Sequence, residues 1–167
     1  FNTIAPDYDV RDNQNPILQW LRGLVHRVYL RYIPNGSNIL ELNAGTGVDA
    51  IFLAENGYSV LATDISDVMI SEIQAKVNCC NSQESEKAKK VEARTLSFDE
   101  IDTIPENEFD AVVSNFGGLN CIINFQKLSD DISSKLKPNG LFIAVVMNKI
   151  CPWEIFYYIV TLKFNEA

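Results

Sequence analysis

The feature that most constrains the fold is an alternation of short apolar segments with longer segments of helical periodicity. The candidate strands are residues 38–42, 58–63, 91–96, 109–114 and 141–147. Strands that alternate with helices and are apolar along their length are typical of a parallel sheet covered on both faces. Because crossovers between parallel strands are right-handed, we predict a doubly wound, mostly parallel α/β sheet of the Rossmann-like type, in the order 3-2-1-4-5.

Local signals place helices between these strands. Asn15 and Pro16 form a favourable helix start, because asparagine caps the first turn and proline suits its first position. The predicted helices cover residues 16–33, 47–56, a segment from the cap Ser66 through Val77, 124–136 and 153–164. The polar segment 79–90 is expected to be a solvated helix end or loop.

The length and composition predict one domain. The chain has 167 residues, of which 47% are hydrophobic, and such a chain can bury its own core. We divide residues 1–167 into an N-terminal helical segment (1–36), a sheet core (37–150) and a C-terminal helix (151–167). No apolar run approaches the ~20 residues of a membrane span, and no signal-peptide pattern opens the chain. We therefore expect a cytoplasmic protein without a membrane partner.

Charge and cysteine content exclude two further classes of function. The formal net charge is −8 and no basic patch interrupts it, so we expect no nucleic-acid partner. The four cysteines lack metal-site spacing, and His26 is the only histidine. We therefore expect no metal site and reduced thiols. His26 falls within the first helical pattern and is expected to be a surface or half-buried residue rather than a catalytic base.

A glycine loop follows the first strand, at residues 43–47. Glycine permits a sharp turn and the close approach of a ligand to the backbone. The segment from Gly45 to Ala50 also satisfies the dinucleotide fingerprint G-x-G-x-x-G/A, with Asp64 as the following acid. Taken alone, the loop therefore allows a nicotinamide or flavin nucleotide site, or a tight turn without a ligand.

Three acidic residues favour S-adenosylmethionine over a dinucleotide. Glu41 stands two residues before the loop, where it can receive the amino group of a methionine moiety. Asp49 lies in the first turn of the next helix, where it would repel a diphosphate. Asp64 ends the second strand and can accept both ribose hydroxyls, although dinucleotide sites use the same device.

Four motifs resemble those of bacterial class I S-adenosylmethionine-dependent methyltransferases. The segments ILELNAGTGVDA (39–50) and ATDIS (62–66) are similar to the family's first two motifs. The segment FDAVVSNFGGLNC (109–121) is similar to the fourth motif, and LKPNGL (136–141) to the turn into the fifth strand. Residues 1–9 resemble the N-terminal helix region of these enzymes. One departure stands out, since Asn43 replaces the usual first glycine. We expect the turn to survive, because asparagine tolerates left-handed geometry, and the space beside the methionine tail to be narrower.

The resemblance implies a role for each residue at the methionine end of the site. Main-chain atoms of Asn43 and Gly45 would line this end, with Glu41 just behind. Asn115 would contact the methionine amine through its carbonyl, and Phe116 would form a wall of the cleft.

The resemblance also implies the adenosine contacts. Asp64 would hold the ribose, with Ile65 and Met69 on either side of the adenine. Ser97 stands where the family often has an acid that reads the adenine amine, so stacking and main-chain contacts around Phe98 would hold the base.

The assignments of five residues have open alternatives. Asp99 replaces Ser97 if the register is off by two, and Tyr8 either closes over the cofactor or is a surface aromatic. Ile65, Met69 and Phe116 could equally be core residues.

The implied function is methyl transfer from S-adenosylmethionine to a small-molecule acceptor by in-line displacement. Alignment and desolvation can supply most of the acceleration, and no residue is nominated as a general base. The alternatives are a non-catalytic S-adenosylmethionine-binding module and a nucleotide-dependent oxidoreductase. Residues 114–118 lack the Asn/Asp-Pro-Pro-aromatic element expected for nucleic-acid methylation, which favours a small acceptor.

The end of the chain carries a final expectation. Members of the family add further strands after the fifth, whereas only residues 151–167 follow here. We expect these C-terminal strands to be missing, which would weaken turnover. A homodimer would then form through the C-terminal helix or the edge of the fifth strand.

Overall fold

The computed structural model describes residues 14–81 and 90–148, and its centre is a five-stranded parallel sheet. The strands are β1 (Asn38–Leu42), β2 (Ser59–Asp64), β3 (Val91–Thr95), β4 (Phe109–Ser114) and β5 (Leu136–Ala144). They are ordered β3-β2-β1-β4-β5, and every neighbouring pair is parallel. The predicted fold class and strand order are confirmed.

Four α-helices flank the sheet in the described residues, the first preceding β1 and the other three lying between strands. They are α1 (Pro16–Tyr32), α2 (Val48–Glu55), α3 (Asp67–Asn81) and α4 (Phe125–Lys135), joined by short 3₁₀ helices at Phe98–Thr103 and Gly118–Cys121. Asn15 begins α1 as predicted, because its side chain accepts hydrogen bonds from the main-chain N–H groups of Ile17 and Leu18. None of the described helices is both long and apolar enough to span a bilayer.

The sheet is covered on both faces, because alternate strand residues point to opposite sides. Ile39 packs on one face with residues of α1, α2 and α3, including Tyr29, Leu53 and Ile73. Leu40, the next residue, packs on the other face with Ile132 of α4 and with the first 3₁₀ helix. The apolar character of the three central strands β2, β1 and β4 is thus explained by burial on two sides.

The fifth strand begins earlier than predicted. Leu136 pairs with Phe109 directly after α4, and regular pairing resumes with Leu141 opposite Ala111. The intervening turn, with Asn139 in a left-handed conformation (φ 67°), forms an irregularity within the strand. The turn predicted at residues 138–140 therefore lies within β5 and interrupts its pairing with β4, whereas it was expected to precede the strand.

Several expectations lie outside the described residues. They concern residues 1–13, residues 82–89 and the C-terminal helix. The single-domain division and the homodimer remain predictions.

Candidate functional site

A cavity of about 620 Å³ opens at the carboxyl ends of β1, β2 and β4. It lies where the connections that leave the neighbouring strands β1 and β4 run in opposite directions, which is the usual ligand position in doubly wound sheets. It brings together every predicted site residue of the described ranges: Glu41, Asn43, Gly45, Asp64, Ile65, Met69, Ser97, Phe98, Asn115 and Phe116, together with Asp99. Tyr8 lies outside the described residues.

The glycine loop makes a left-handed turn at this edge of the sheet. Asn43, Gly45 and Gly47 have φ values of 51°, 55° and 77°. A Cβ atom built on Gly47 would lie 2.6 Å from Cγ1 of Ile73 on α3. Gly47 is therefore required both for its backbone conformation and for the close packing of α2 and α3.

Asp64 joins the ends of β1 and β2. Its Oδ2 accepts a hydrogen bond from the Gly45 N–H at 2.9 Å, and its Oδ1 accepts one from the Ser66 N–H at 2.9 Å. Each oxygen of an ionised carboxylate has a further lone pair. The carboxylate is thus held by the backbone and can still accept two hydroxyl groups from the cavity.

Glu41 is a buried acid on the cavity wall. The residue is 2% exposed, and its Oε2 has no hydrogen-bond partner among the described residues. Burial raises the pKa of Glu41 well above its ordinary value, and the nearby Asp49 raises it further, against the opposing effect of Arg22. A buried carboxyl without a donor is costly. The site therefore favours either a proton on Glu41 or a cationic ligand beside it.

Asp49 is held by three side chains at the start of α2. Its Oδ1 accepts from Arg22 Nη1 and lies 2.7 Å from His26 Nε2, and its Oδ2 accepts from Asn115 Nδ2 at 2.7 Å. Burial is the largest influence and raises its pKa, but the bond to His26, the charge of Arg22 and the bond from Asn115 together lower it. This carboxylate is ionised and has a hydrogen-bond partner on each oxygen.

Sequence reasoning missed this network, although it carried one signal. Arg22 and His26 are four residues apart on α1 and so share a helix face. His26 is half-buried, as expected, and stacks on Phe52 with ring centroids 3.6 Å apart. From its position in the sequence, Asp49 was expected only to repel a diphosphate, and its contacts with α1 were not predicted.

Asn115 and Phe116 form the β4 side of the cavity. The Asn115 carbonyl, expected to meet a methionine amine, accepts a hydrogen bond from Asn43 Nδ2 at 2.7 Å. Phe116 has φ 48°, and the Arg22 guanidinium lies 4.5 Å from the centre of its ring. Phe116 is half-exposed and lines the cavity, so it is not a core residue.

The opposite end of the cavity is more apolar. Ile65 is 74% exposed and so is not a core residue, whereas Met69 is 3% exposed and forms the cavity wall from α3. Ser97 begins the first 3₁₀ helix, where its N–H donates to Glu100 Oε2 at 3.0 Å. Phe98 follows it on the lining. Within residues 14–81 and 90–148, no group of three acidic, histidine or cysteine side chains is placed to hold a metal ion.

This fold and this cavity define a class I methyltransferase core. The sequence profile of the family described as "Methyltransferase domain" matches residues 39–140, and the chain belongs to this family. The resemblance noted from the sequence motifs is confirmed.

Individual relatives agree with this assignment. The ubiquinone/menaquinone biosynthesis C-methyltransferase UbiE of Zymomonas mobilis is 30% identical over 151 residues, covering 87% of this chain and 57% of the relative. Glycine N-methyltransferase of Mus musculus is 28% identical, covering 81% of this chain and 46% of the relative. The chain thus spans about half the length of the curated relatives it matches.

A solved structure shares the fold. The glycopeptide N-methyltransferase MtfA, in complex with S-adenosyl-L-methionine, superposes with a TM-score of 0.61 at 19% identity, covering 74% of this chain and 54% of MtfA. At this identity the likeness shows the fold alone.

Proposed function

We propose that the chain binds S-adenosylmethionine and transfers its methyl group to a small-molecule acceptor, a reaction of class 2.1.1. The observation that carries the proposal is the buried Glu41 carboxyl on the cavity wall, whose Oε2 has no partner in the described residues. The methionine part of the cofactor has an ammonium group. An ammonium beside Glu41 supplies both the charge and the donors that this carboxyl lacks.

The remaining lining fits the other parts of the cofactor. The two oxygens of Asp64 suit the two ribose hydroxyls, because each already has one backbone donor and a free lone pair. Ile65, Met69 and Phe98 supply apolar surface for the adenine. The volume of about 620 Å³ lies within the usual range for small-molecule sites.

A dinucleotide fits this site less well. The N-terminus of α2 would hold a diphosphate through the partial positive charge of the helix. Here the first turn already contains the ionised Asp49, which accepts hydrogen bonds from Arg22 and Asn115. A diphosphate at this position would be repelled.

The chain's own contribution to the reaction is to position the reactants and to exclude water. The cofactor supplies a methyl group that its sulfonium already activates toward displacement. Phe116 and Met147 line the cavity with apolar surface, and the Asp49 network holds α1, α2 and the end of β4 together. Alignment and desolvation of this kind supply much of the rate enhancement of a displacement reaction.

We also propose that the acceptor is a small molecule and that nucleic acid is not a substrate. The net charge of −8 supports this, because it would repel a phosphate backbone.

Titration calorimetry with S-adenosylmethionine and with NAD tests the proposal. We expect a saturable signal for the first and none for the second, and the Glu41→Ala variant should lose most of the affinity. Glu55→Ala serves as the matched control, since Glu55 is an exposed acid on α2. Binding of NAD at comparable concentration would contradict the methyltransferase assignment. Methyl release with candidate acceptors then distinguishes an enzyme from a non-catalytic binding module.

A further inference from the structure

Asn43, the residue that departs from the family pattern, connects the ends of two strands through its side chain. Its Nδ2 donates to the Asn115 carbonyl at 2.7 Å, and its Oδ1 accepts from the Ser114 hydroxyl. The backbone pairing of β1 with β4 runs as far as Leu42 opposite Ser114. The Asn43 amide thus continues this pairing by one residue, at the point where the backbone of β1 turns away.

The amide of Asn43 is also held sterically. A Cβ atom built on Gly118 would lie 2.2 Å from Asn43 Cγ and 2.5 Å from its Oδ1. The amide therefore lies directly against the Gly118 backbone, with both of its polar atoms bonded. Hydrogen bonds and contact together hold it in one position.

At this end of the cavity, most of the acceptors described above already have a donor from the protein. The Asn115 carbonyl accepts from Asn43, and the Asn115 side-chain oxygen accepts from the Phe116 N–H at 2.9 Å. Asp49 already has three side-chain partners, on both of its oxygens. Among the acceptors of β1, β4 and α2 described above, Glu41 Oε2 remains without a donor.

We propose that Asn43 is a specificity-determining residue: because its Nδ2 competes for the Asn115 carbonyl, the ammonium of an adenosyl ligand binds mainly to Glu41. Recognition of the amino-acid tail then depends mainly on this carboxylate. The inference rests on the proposed cofactor. It adds that the replacement of glycine by asparagine decides which atom of the protein receives the ammonium.

A double-mutant cycle tests the inference with two ligands. S-adenosylhomocysteine has the amino-acid tail, whereas 5′-methylthioadenosine has the same nucleoside and a thioether without the tail. Dissociation constants are measured by calorimetry for the wild type, Glu41→Gln, Asn43→Gly and the double variant. Glycine suits this position because it adopts φ 51° without strain.

We expect Glu41→Gln to weaken S-adenosylhomocysteine binding about tenfold or more in the wild-type background. In the Asn43→Gly background the same change should weaken it about threefold or less, because the ammonium then meets no competing donor at the Asn115 carbonyl. Binding of 5′-methylthioadenosine should change less than about twofold throughout.

The inference would be overturned if Glu41→Gln weakened S-adenosylhomocysteine binding equally in both backgrounds. It would also be overturned if the variants weakened the binding of both ligands equally, because that result indicates a purely structural role. If the wild type binds neither ligand, the proposed cofactor is wrong. Ser114→Ala provides a second cycle, since it removes the donor to Asn43 Oδ1 and keeps residue 43 unchanged. If Asn43→Gly does not fold, the Ser114→Ala cycle decides. The loss of S-adenosylhomocysteine affinity caused by Glu41→Gln must then be smaller in the Ser114→Ala background than in the wild type.

Discussion

Glu41 shows most clearly how a single residue can serve binding at the expense of stability. In the folded protein its pKa is raised well above 4.5, whereas the unfolded chain retains the ordinary value. Between these two values the folded state binds more protons than the unfolded state. The free energy of unfolding therefore falls as the pH rises from the unfolded pKa to the folded pKa.

We predict that Glu41→Gln removes this pH dependence. Glutamine has the shape of a protonated glutamic acid and does not ionise, so the variant should gain stability over the wild type as the pH rises. The relative gain should approach about 1.4 kcal/mol per pH unit within the window. Urea unfolding between about pH 5 and about pH 8 measures it.

Glu55→Gln is the control for this measurement, because Glu55 is exposed. It should follow the wild-type curve. If Glu41→Gln also follows that curve, the buried carboxyl does not titrate as described.

A second prediction at the residue scale concerns Asp64. Asp64→Ala should weaken cofactor binding by roughly 2–4 kcal/mol, because two hydrogen bonds to a charged acceptor are lost. Calorimetry with S-adenosylhomocysteine measures the loss, with Asp130→Ala on the exposed surface of α4 as the control. An unchanged affinity would show that Asp64 does not hold the ribose.

The start of α2 shows how neighbouring elements constrain each other. The loop before this helix turns through left-handed residues, and Gly47 lies against Ile73 of α3. A side chain at position 47 would meet two costs, the strained backbone and the clash with α3.

We predict that Gly47→Ala destabilises the fold more than Gly36→Ala does. Gly36 has nearly the same φ, 78° against 77°, but no atom within 4 Å of its built Cβ. The backbone cost of about 1–2 kcal/mol is thus common to both variants, and overpacking against Ile73 should add about 1–3 kcal/mol at position 47. Denaturant unfolding of the two variants gives the difference directly. Equal destabilisation would mean that α3 moves aside without cost.

On the scale of the whole molecule, ligand binding should be linked to pH through Glu41. An ammonium beside Glu41 favours its ionised form, so binding releases a proton wherever the empty site holds one. The affinity for S-adenosylhomocysteine should therefore rise with pH up to the folded pKa of Glu41.

We predict a larger thermal stabilisation by S-adenosylhomocysteine at about pH 8 than at about pH 6, at a fixed ligand concentration. The ligand 5′-methylthioadenosine lacks the ammonium and should show no such difference. Differential scanning fluorimetry measures both ligands side by side. If the thermal stabilisation by the two ligands depends on pH in the same way, Glu41 does not bind the ammonium.

Much of the fold could be predicted from local sequence. Residues 38–42 form a buried strand, as the apolar residues within this segment predict. The chain turns at Asn43, Gly45 and Gly47 because these residues tolerate positive φ. Asn15 caps α1 through N–H groups two and three residues away. The strand order followed from the handedness of the crossovers, and the motif order identified the family.

Only the tertiary structure decided the chemistry of the cavity. Asp49 meets Arg22 and Asn115 across 27 and 66 residues of chain, and Asn43 meets Asn115 across 72. Such contacts depend on how helices and strands pack and in which register, and no local preference encodes them. The start of β5 at Leu136 and the raised pKa of Glu41 have the same origin, since pairing with β4 and burial among charged neighbours exist only in the folded chain.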